Sequence, residues 1–318
     1  MDARDSNSSV GGIGIWRRIK YFFGLSVLYL RRYRDGHDFS GLHNALEDYR
    51  HCLDRYGAKP LEKSKVVEIG FGARPLRLTA MNALGIDATG VDLDRPIVRG
   101  TLSECLDTWR KNNIERALKS IIRFWLNDRR ERRAMFDSFG DRIRSREVPV
   151  EKVVVSNASD PAFWKSYGVN TDLIVSEDVF EHIPVADLEK IVDEMHASLS
   201  PEGLALIRPM IYSGISGGHQ LEWYPHTIGK NISRETEPWE HLRRDRHPAN
   251  TYLNKLLRQD YRTLFERQFE ILEELEKQPD LGRELLTPEI RDELSDYSDD
   301  ELFSNNVLFV LKPRQPST

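Results

Sequence analysis

Hydrophobic positions along the chain follow two rhythms, one helical and one extended. From Ser40 to Gly57 the apolar residues Leu42, Ala45, Leu46, Tyr49, Cys52, Leu53 and Tyr56 recur at the spacing of one helix face, and Gly57 closes the run. Residues 65–71, KVVEIGF, are a short apolar, β-branched run ending in glycine, the pattern of a buried strand. Residues 75–85 then read as a helix closed by Gly85, and residues 86–94 as a second strand. Strand, glycine turn, helix and strand make a βαβ unit, which predicts a parallel pair. After Pro96 the pattern breaks into a highly charged helical stretch, Thr101 to Phe139, which reads as an insertion. Strand patterns resume at residues 151–158, 172–179 and 203–211, the last two separated by the helical period of VADLEKIVDEMHASLS. Residues 269–277 and 305–313 read as closing strands around an acidic helical segment, and no internal repeat occurs. The series predicts an α/β fold, a doubly wound and mostly parallel seven-stranded sheet, with helical insertions at about 97–150 and 213–267. Ligands of such folds bind beyond the carboxyl ends of the strands.

The N-terminal segment has a different texture. Residues 1–12 are small and polar and read as a disordered tail, and residues 13–60 as a helical cap on a domain spanning 61–315. Within the cap the apolar run Tyr21 to Leu30 is too short to span a bilayer, and no small-residue cleavage site follows it. Arg17, Arg18 and Lys20 precede this run, and Arg31, Arg32 and Arg34 follow it. Two readings result: a helix packed across the domain with its arginines snorkelling, or peripheral membrane contact through residues 16–34 on anionic lipid. Length and charge narrow the function classes. The 318 residues suit one large domain with insertions, and 39% hydrophobic content permits a sizeable core. A net charge of −5 argues against general nucleic-acid binding. Two cysteines, Cys52 and Cys105, fit no zinc or redox spacing and suit a reducing, cytoplasmic compartment.

The chemistry begins at the first predicted strand end, VVEIGFGARP. Dinucleotide folds carry G-x-G-x-x-G/A here, and this chain has Gly70 and Gly72 but Pro75 at the third position. A phosphate loop needs a lysine and a hydroxyl after its second glycine, and GARPLR has neither. Instead Glu68 stands two residues before Gly70, where a carboxylate suits a cationic ligand or the loop amides. Asp92 ends the second strand, where an acid can accept both hydroxyls of a ribose, in NAD as in other adenosine cofactors.

These residues resemble the class I S-adenosylmethionine-dependent methyltransferases. VVEIGFGARP is similar to the family's first motif and GVDLD to its second; VVVSNASDPAFW, DLIVSEDVFEHIP and LSPEGLALI follow in the family's order, and FSNNVLFVLKP resembles its closing strand. The resemblance runs from about Lys65 to Pro313 outside the two insertions, and it implies S-adenosyl-L-methionine as cofactor. Carried over by position, Glu68, Gly70 and Gly72 would surround the amino-acid end of that cofactor, Asp92 would bind the ribose and Leu93 would pack on adenine. Asn157 and Ala158 would meet the adenine edge, and Ser176 and Glu177 the methionine end. The family often has aspartate where Asn157 stands; an amide oxygen still accepts from an exocyclic amine.

Methyl transfer to a hydroxyl gains from a base within hydrogen-bond reach. His182, after the fourth strand, and His219, in the glycine-rich loop after the fifth, are the candidate catalytic residues. Glu181 reads as an acid at a helix start. His219, Glu222 and His226 lie close in sequence but match no tight ligand spacing, so no metal is expected. Trp223 and Tyr224 stand near enough to His219 to stack on a sugar, and Trp239 and Tyr252 sit among arginines in a segment that suits a lid over a polar or acidic acceptor such as a glycan. The expectation is methyl transfer to a hydroxyl of a small molecule or saccharide, with no nucleic-acid partner. Methylation of a lipid or quinone at a membrane surface, and a non-catalytic methyltransferase-like binding protein, are the alternatives.

Overall fold

Seven short strands, most of them rich in Val, Ile and Leu, pair into one sheet. The computed structural model describes residues 37–101, 103–106, 120–249 and 251–315. The expected tail and the basic, aromatic segment 16–34 lie outside the described residues. The strands are β1 (Lys65–Ile69), β2 (Asp87–Asp92), β3 (Val153–Val155), β4 (Thr171–Glu177), β5 (Leu199–Arg208), β6 (Phe269–Glu276) and β7 (Val307–Pro313). Their order is β3-β2-β1-β4-β5-β7-β6, and β7 alone runs antiparallel to its neighbours. In the parallel half, Val66 faces Ala88 on one side and Leu173 on the other. Chain order reverses between β1 and β4, which opens a crevice at their carboxyl ends.

Side-chain alternation in the strands builds two cores, one on each face. Val66, Leu173, Val175, Leu204 and Leu206 point to one face, where they meet α1 (Ser40–Tyr56), α2 (Leu76–Ala83) and α3 (Arg129–Phe139). Val67, Ile69, Ile174, Ala205 and Ile207 point to the other, against α4 (Val185–Ser198) and α5 (Arg258–Glu266). Helix α5, charged in sequence, turns Tyr261, Leu264 and Phe265 into this second core. A third, smaller core joins the loop after β5 to the acidic segment before β7, through Ile215, Trp223, Trp239, Ile290, Leu294, Leu302 and Phe303. Trp239 is 0% exposed and Trp223 3%, so both indoles hold the loop down instead of gripping an acceptor. Tyr252 remains exposed. Among the described residues no helix is long and apolar enough to cross a membrane.

Helix α1 buries Cys52 completely, and burial followed by Asp48 and Glu273 pushes its thiol up to about 11. Cys105 is half-buried. Iodoacetamide at pH 8 should therefore label Cys105 and spare Cys52 until denaturant is added, because only the thiolate reacts. Peptide mapping checks this, and equal labelling of both in the native protein would contradict the packing of α1.

Candidate active site

At the end of β1 the chain must turn sharply beneath the loop that follows β4. Gly70 has φ +78° and Gly72 φ +67°, conformations that side-chain-bearing residues rarely adopt. A Cβ on Gly70 would lie 2.3 Å from a methyl of Val179, so the two loops touch there; a Cβ on Gly72 would meet nothing within 4 Å. The Gly72 amide donates to Asp92 Oδ2 at 2.7 Å, and the Asp94 amide to Oδ1 at 2.8 Å. Burial raises the Asp92 carboxyl from its ordinary value, and these amides partly oppose the rise. Leu93 beside it is 71% exposed, an apolar side chain left at the strand end. Just past the neighbouring β3, Asn157 is exposed, with its Oδ1 accepting from the Ser159 amide at 3.0 Å. Ala158 is buried, and its carbonyl accepts from Trp164 Nε1 at 2.7 Å. The first insertion braces the far end of the turn. Glu131 of α3 pairs with Arg74 at 2.8 Å, and Arg123 donates to the Ala73 carbonyl at 2.8 Å.

The turn, Asp92, Leu93 and Asn157 thus share one edge of the sheet, at the ends of β1, β2 and β3. Open space before Gly72, a carboxylate with lone pairs to spare and an exposed leucine fit the ribose and adenine of S-adenosylmethionine.

Below the turn lies an ion network that periodicity did not reveal. Glu68 is 1% exposed; its Oε1 accepts from Arg77 Nε of α2 at 2.8 Å, and its Oε2 has no hydrogen-bond partner. Arg77 Nη1 also reaches Glu177 at 2.6 Å. Arg208 of β5 donates to Glu177 at 2.6 Å, and the Tyr49 hydroxyl of α1 donates to it as well. Burial pushes Glu177 up, but Arg77, Arg208 and Tyr49 outweigh it and hold the carboxyl below its ordinary value. Glu68 has only Arg77 against the same burial, and it is raised. Ser176 is buried, and its hydroxyl donates to the Ile69 carbonyl at 3.0 Å. Ser176 and Glu177 therefore support the crevice from beneath, with their polar atoms already engaged by protein.

A second polar group forms where the loops after β4 and β5 meet. Glu181 is 4% exposed, and neither carboxylate oxygen has a hydrogen-bond partner of good geometry, although the Glu181 and Met210 amides approach it. Burial and then Asp178 push its carboxyl up to about 8. His219 follows two glycines at φ +55°, and its Nε2 lies 3.9 Å from Glu181 Oε1. Its Nδ1 lies 3.1 Å from the Tyr224 hydroxyl. Burial, with His182 and His241 adding to it, lowers the His219 imidazole to about 4, so it is neutral at pH 7. The His182 and His219 rings meet edge to face at 4.8 Å. The two candidate histidines thus converge, together with Glu181, whose helix-start position in sequence concealed it. Glu222 and His226 stand apart from them. Glu222 accepts from the Thr236 hydroxyl at 2.8 Å, and the His226 ring lies against Tyr224.

The family model described as a methyltransferase domain matches residues 42–274. That span is well over half the chain and takes in the glycine turn, Asp92 and the β4 and β5 loops; the chain belongs to this methyltransferase family. It is an S-adenosylmethionine-dependent methyltransferase of Rossmann-like fold. A search of curated proteins finds no match. Among solved structures, it is similar to a TehB-like SAM-dependent methyltransferase from Corynebacterium glutamicum, at 13% identity and TM-score 0.42 over 93% of this chain and 100% of the other. An S-adenosylmethionine-dependent methyltransferase from Clostridium acetobutylicum matches at 13% identity and TM-score 0.44, over 92% and 98% of the two chains. The glycopeptide N-methyltransferase MtfA, complexed with S-adenosylhomocysteine, matches at 14% identity and TM-score 0.39, over 84% and 89%.

Proposed function

We propose that the chain methylates a hydroxyl of a saccharide or other polar small molecule. The observation that carries this reading is His219 Nε2, which has no hydrogen-bond partner, lies 3.9 Å from Glu181 Oε1 and sits beside the loop that touches the glycine turn. Oxygen acceptors need a base more than amines do, since a hydroxyl is a poor nucleophile until its proton leaves. S-adenosylmethionine supplies a methyl on a sulfonium, an electrophile that needs no further activation. The acceptor oxygen would bond to the methyl carbon as the sulfur–carbon bond breaks, and with no ion at the site His219 Nε2 would be placed to receive the hydroxyl proton. Burial of Glu181 and of the loop after β5 keeps this zone poor in water, which favours aligned displacement. A cavity of about 640 Å³ between α3 and the segment after β2 is lined by Arg99, Arg129, Arg132, Arg133 and Arg146, with Glu147 as its acid. That positive wall suits an anionic group such as a phosphate or carboxylate, and it shares no lining residue with the His219 site.

The test is transfer of labelled methyl from S-adenosylmethionine to fractionated extract, with fragmentation of the labelled product. An O-methyl ether is expected, and an N-methyl product overturns the reading. His219→Ala should lower kcat by about a hundredfold or more while S-adenosylhomocysteine binds with unchanged affinity by calorimetry. Wild-type turnover in that variant would remove His219 from the proton path.

A further inference from the structure

We infer that Glu181, His182 and His219 form a binding site for one divalent transition ion. One donor atom from each of the three lies within 4.8 Å of the others. Two imidazoles and one carboxylate are a donor set suited to Mn²⁺, Fe²⁺ or Zn²⁺ rather than to Mg²⁺ or Ca²⁺, which prefer oxygen alone. Bonds of about 2.1 Å to such an ion require side-chain adjustments of roughly an ångström to bring all three donors into one shell.

Three further observations point to a ligand. The Glu181 carboxylate is almost wholly buried, and beyond the approach of the Glu181 and Met210 amides neither oxygen has a well-formed partner, nor has His219 Nε2 at 3.9 Å from it. Buried groups of this polarity are nearly always satisfied, so an unpaired set aimed at one point marks something that pairs with them. The histidine contacts agree. His182 Nδ1 lies 3.0 Å from the Tyr252 carbonyl, which can only accept, so Nδ1 carries a proton and Nε2 is the ring atom left to meet an ion. His219 Nδ1 is engaged by the Tyr224 hydroxyl, which can donate or accept, and its Nε2 has no partner. Outer partners that orient the ring in this way are the usual support of metal-bound histidine. Finally, the turn is held in shape. Asn254 Nδ2 donates to the Phe180 carbonyl at 2.7 Å and to the Ile183 carbonyl at 3.0 Å, and its backbone amide donates to the Glu181 carbonyl at 2.9 Å. Asp178 is not counted among the donors, because Arg208 and Asn306 already engage it.

Three protein donors leave coordination positions open. What fills them rests on the hydroxyl reading above; ion binding itself does not. An acceptor hydroxyl on the ion ionises nearer to neutral pH, releasing its proton to water, and the alkoxide forms the carbon–oxygen bond as sulfur leaves. In that case His219 serves as ligand and not as base.

The test uses the full chain, stripped with chelator and dialysed against Mn²⁺ or Zn²⁺ without acceptor. One ion per chain by elemental analysis is expected, with a rise in Tm. Glu181→Gln, of nearly the same shape, should lose affinity at least tenfold, as should His182→Ala, while His226→Ala binds like the parent. S-adenosylhomocysteine binding by Glu181→Gln shows that the variant is folded; if His182→Ala does not fold, Glu181→Gln and the electron paramagnetic spectrum of bound Mn²⁺ decide. No stoichiometric ion, or parental affinity in Glu181→Gln, overturns the site. An ion bound with an N-methyl product would overturn only the hydroxyl reading, and an O-methyl product with no ion bound would overturn only this inference.

Discussion

Asp92→Ala should weaken S-adenosylmethionine binding by about a hundredfold, close to 3 kcal/mol. Two losses combine. One is the pair of ribose hydroxyls that a carboxylate at the end of β2 would accept, where a hydrogen bond to a charged group contributes about 1.5–3 kcal/mol. The other is internal. Asp92 Oδ2 is the partner of the Gly72 amide, and Gly72 sits at φ +67°, so removing the carboxylate frees a turn whose shape depends on it. Asp92→Asn keeps one acceptor oxygen and should fall between the two, with its amide nitrogen facing a backbone N–H or a hydroxyl. Because Asp92 is half-buried at a strand end, the stability cost of Asp92→Ala should be only about 1 kcal/mol. Calorimetry with S-adenosylhomocysteine separates the two quantities. Affinity within threefold of the parent would remove Asp92 from the ribose.

The sheet was legible because β1, β4 and β7 are apolar runs rich in β-branched residues and the other strands follow at βαβ spacing, although β6, FEILEELE, carries four glutamates; the turn was legible because Glu68, Gly70 and Gly72 are neighbours in sequence. What escaped was whatever depends on contact between distant segments. Arg77 sits in PLRLTAMNA, where an arginine in an amphipathic helix reads as solvated; it is buried because β1 and β4 each bring a carboxylate to it. Trp223 and Trp239, in a loop rich in glycine and arginine, read as contact aromatics until residues near 290–303 cover them. The grouping of Glu181 with His219 was also out of reach of local spacing, which instead offered Glu222 and His226. One signal was present. Parallel neighbours β4 and β5 end at the same edge, so the Glu-His pair after β4 and a histidine after β5 must emerge side by side. Topology, once predicted, was a better guide to the histidines than ligand spacing.

Arg77→Met should be the most damaging single change in stability, at about 3–5 kcal/mol, the usual cost of removing one partner from a buried ion group. The side chains are of similar length, so the loss is one of charge pairing and not of volume. Glu68 would be left with no cation, at 1% exposure, and Glu177 would keep only Arg208 and Tyr49. For a domain of this size the drop in Tm should be roughly ten degrees. The pH dependence identifies the cause. Arginine contacts hold the Glu177 carboxyl below its ordinary value, so its contribution is present above the unfolded carboxyl pKa and is lost as pH falls through the folded one. In Arg77→Met that carboxyl should rise, and the gap between parent and variant should be widest at pH 7 and narrow in acid. Glu68 moves the gap in the same direction, because a buried carboxyl deprived of its arginine is least costly when protonated. Arg77→Met combined with Glu68→Gln should recover part of the loss at pH 7, since the stranded charge is removed. Urea unfolding at pH 7 and pH 4.5 checks both statements. A deficit that is the same at the two pH values would mean that Arg77 acts by packing, and the crevice beneath the glycine turn would then be held by its aliphatic stem and not by charge.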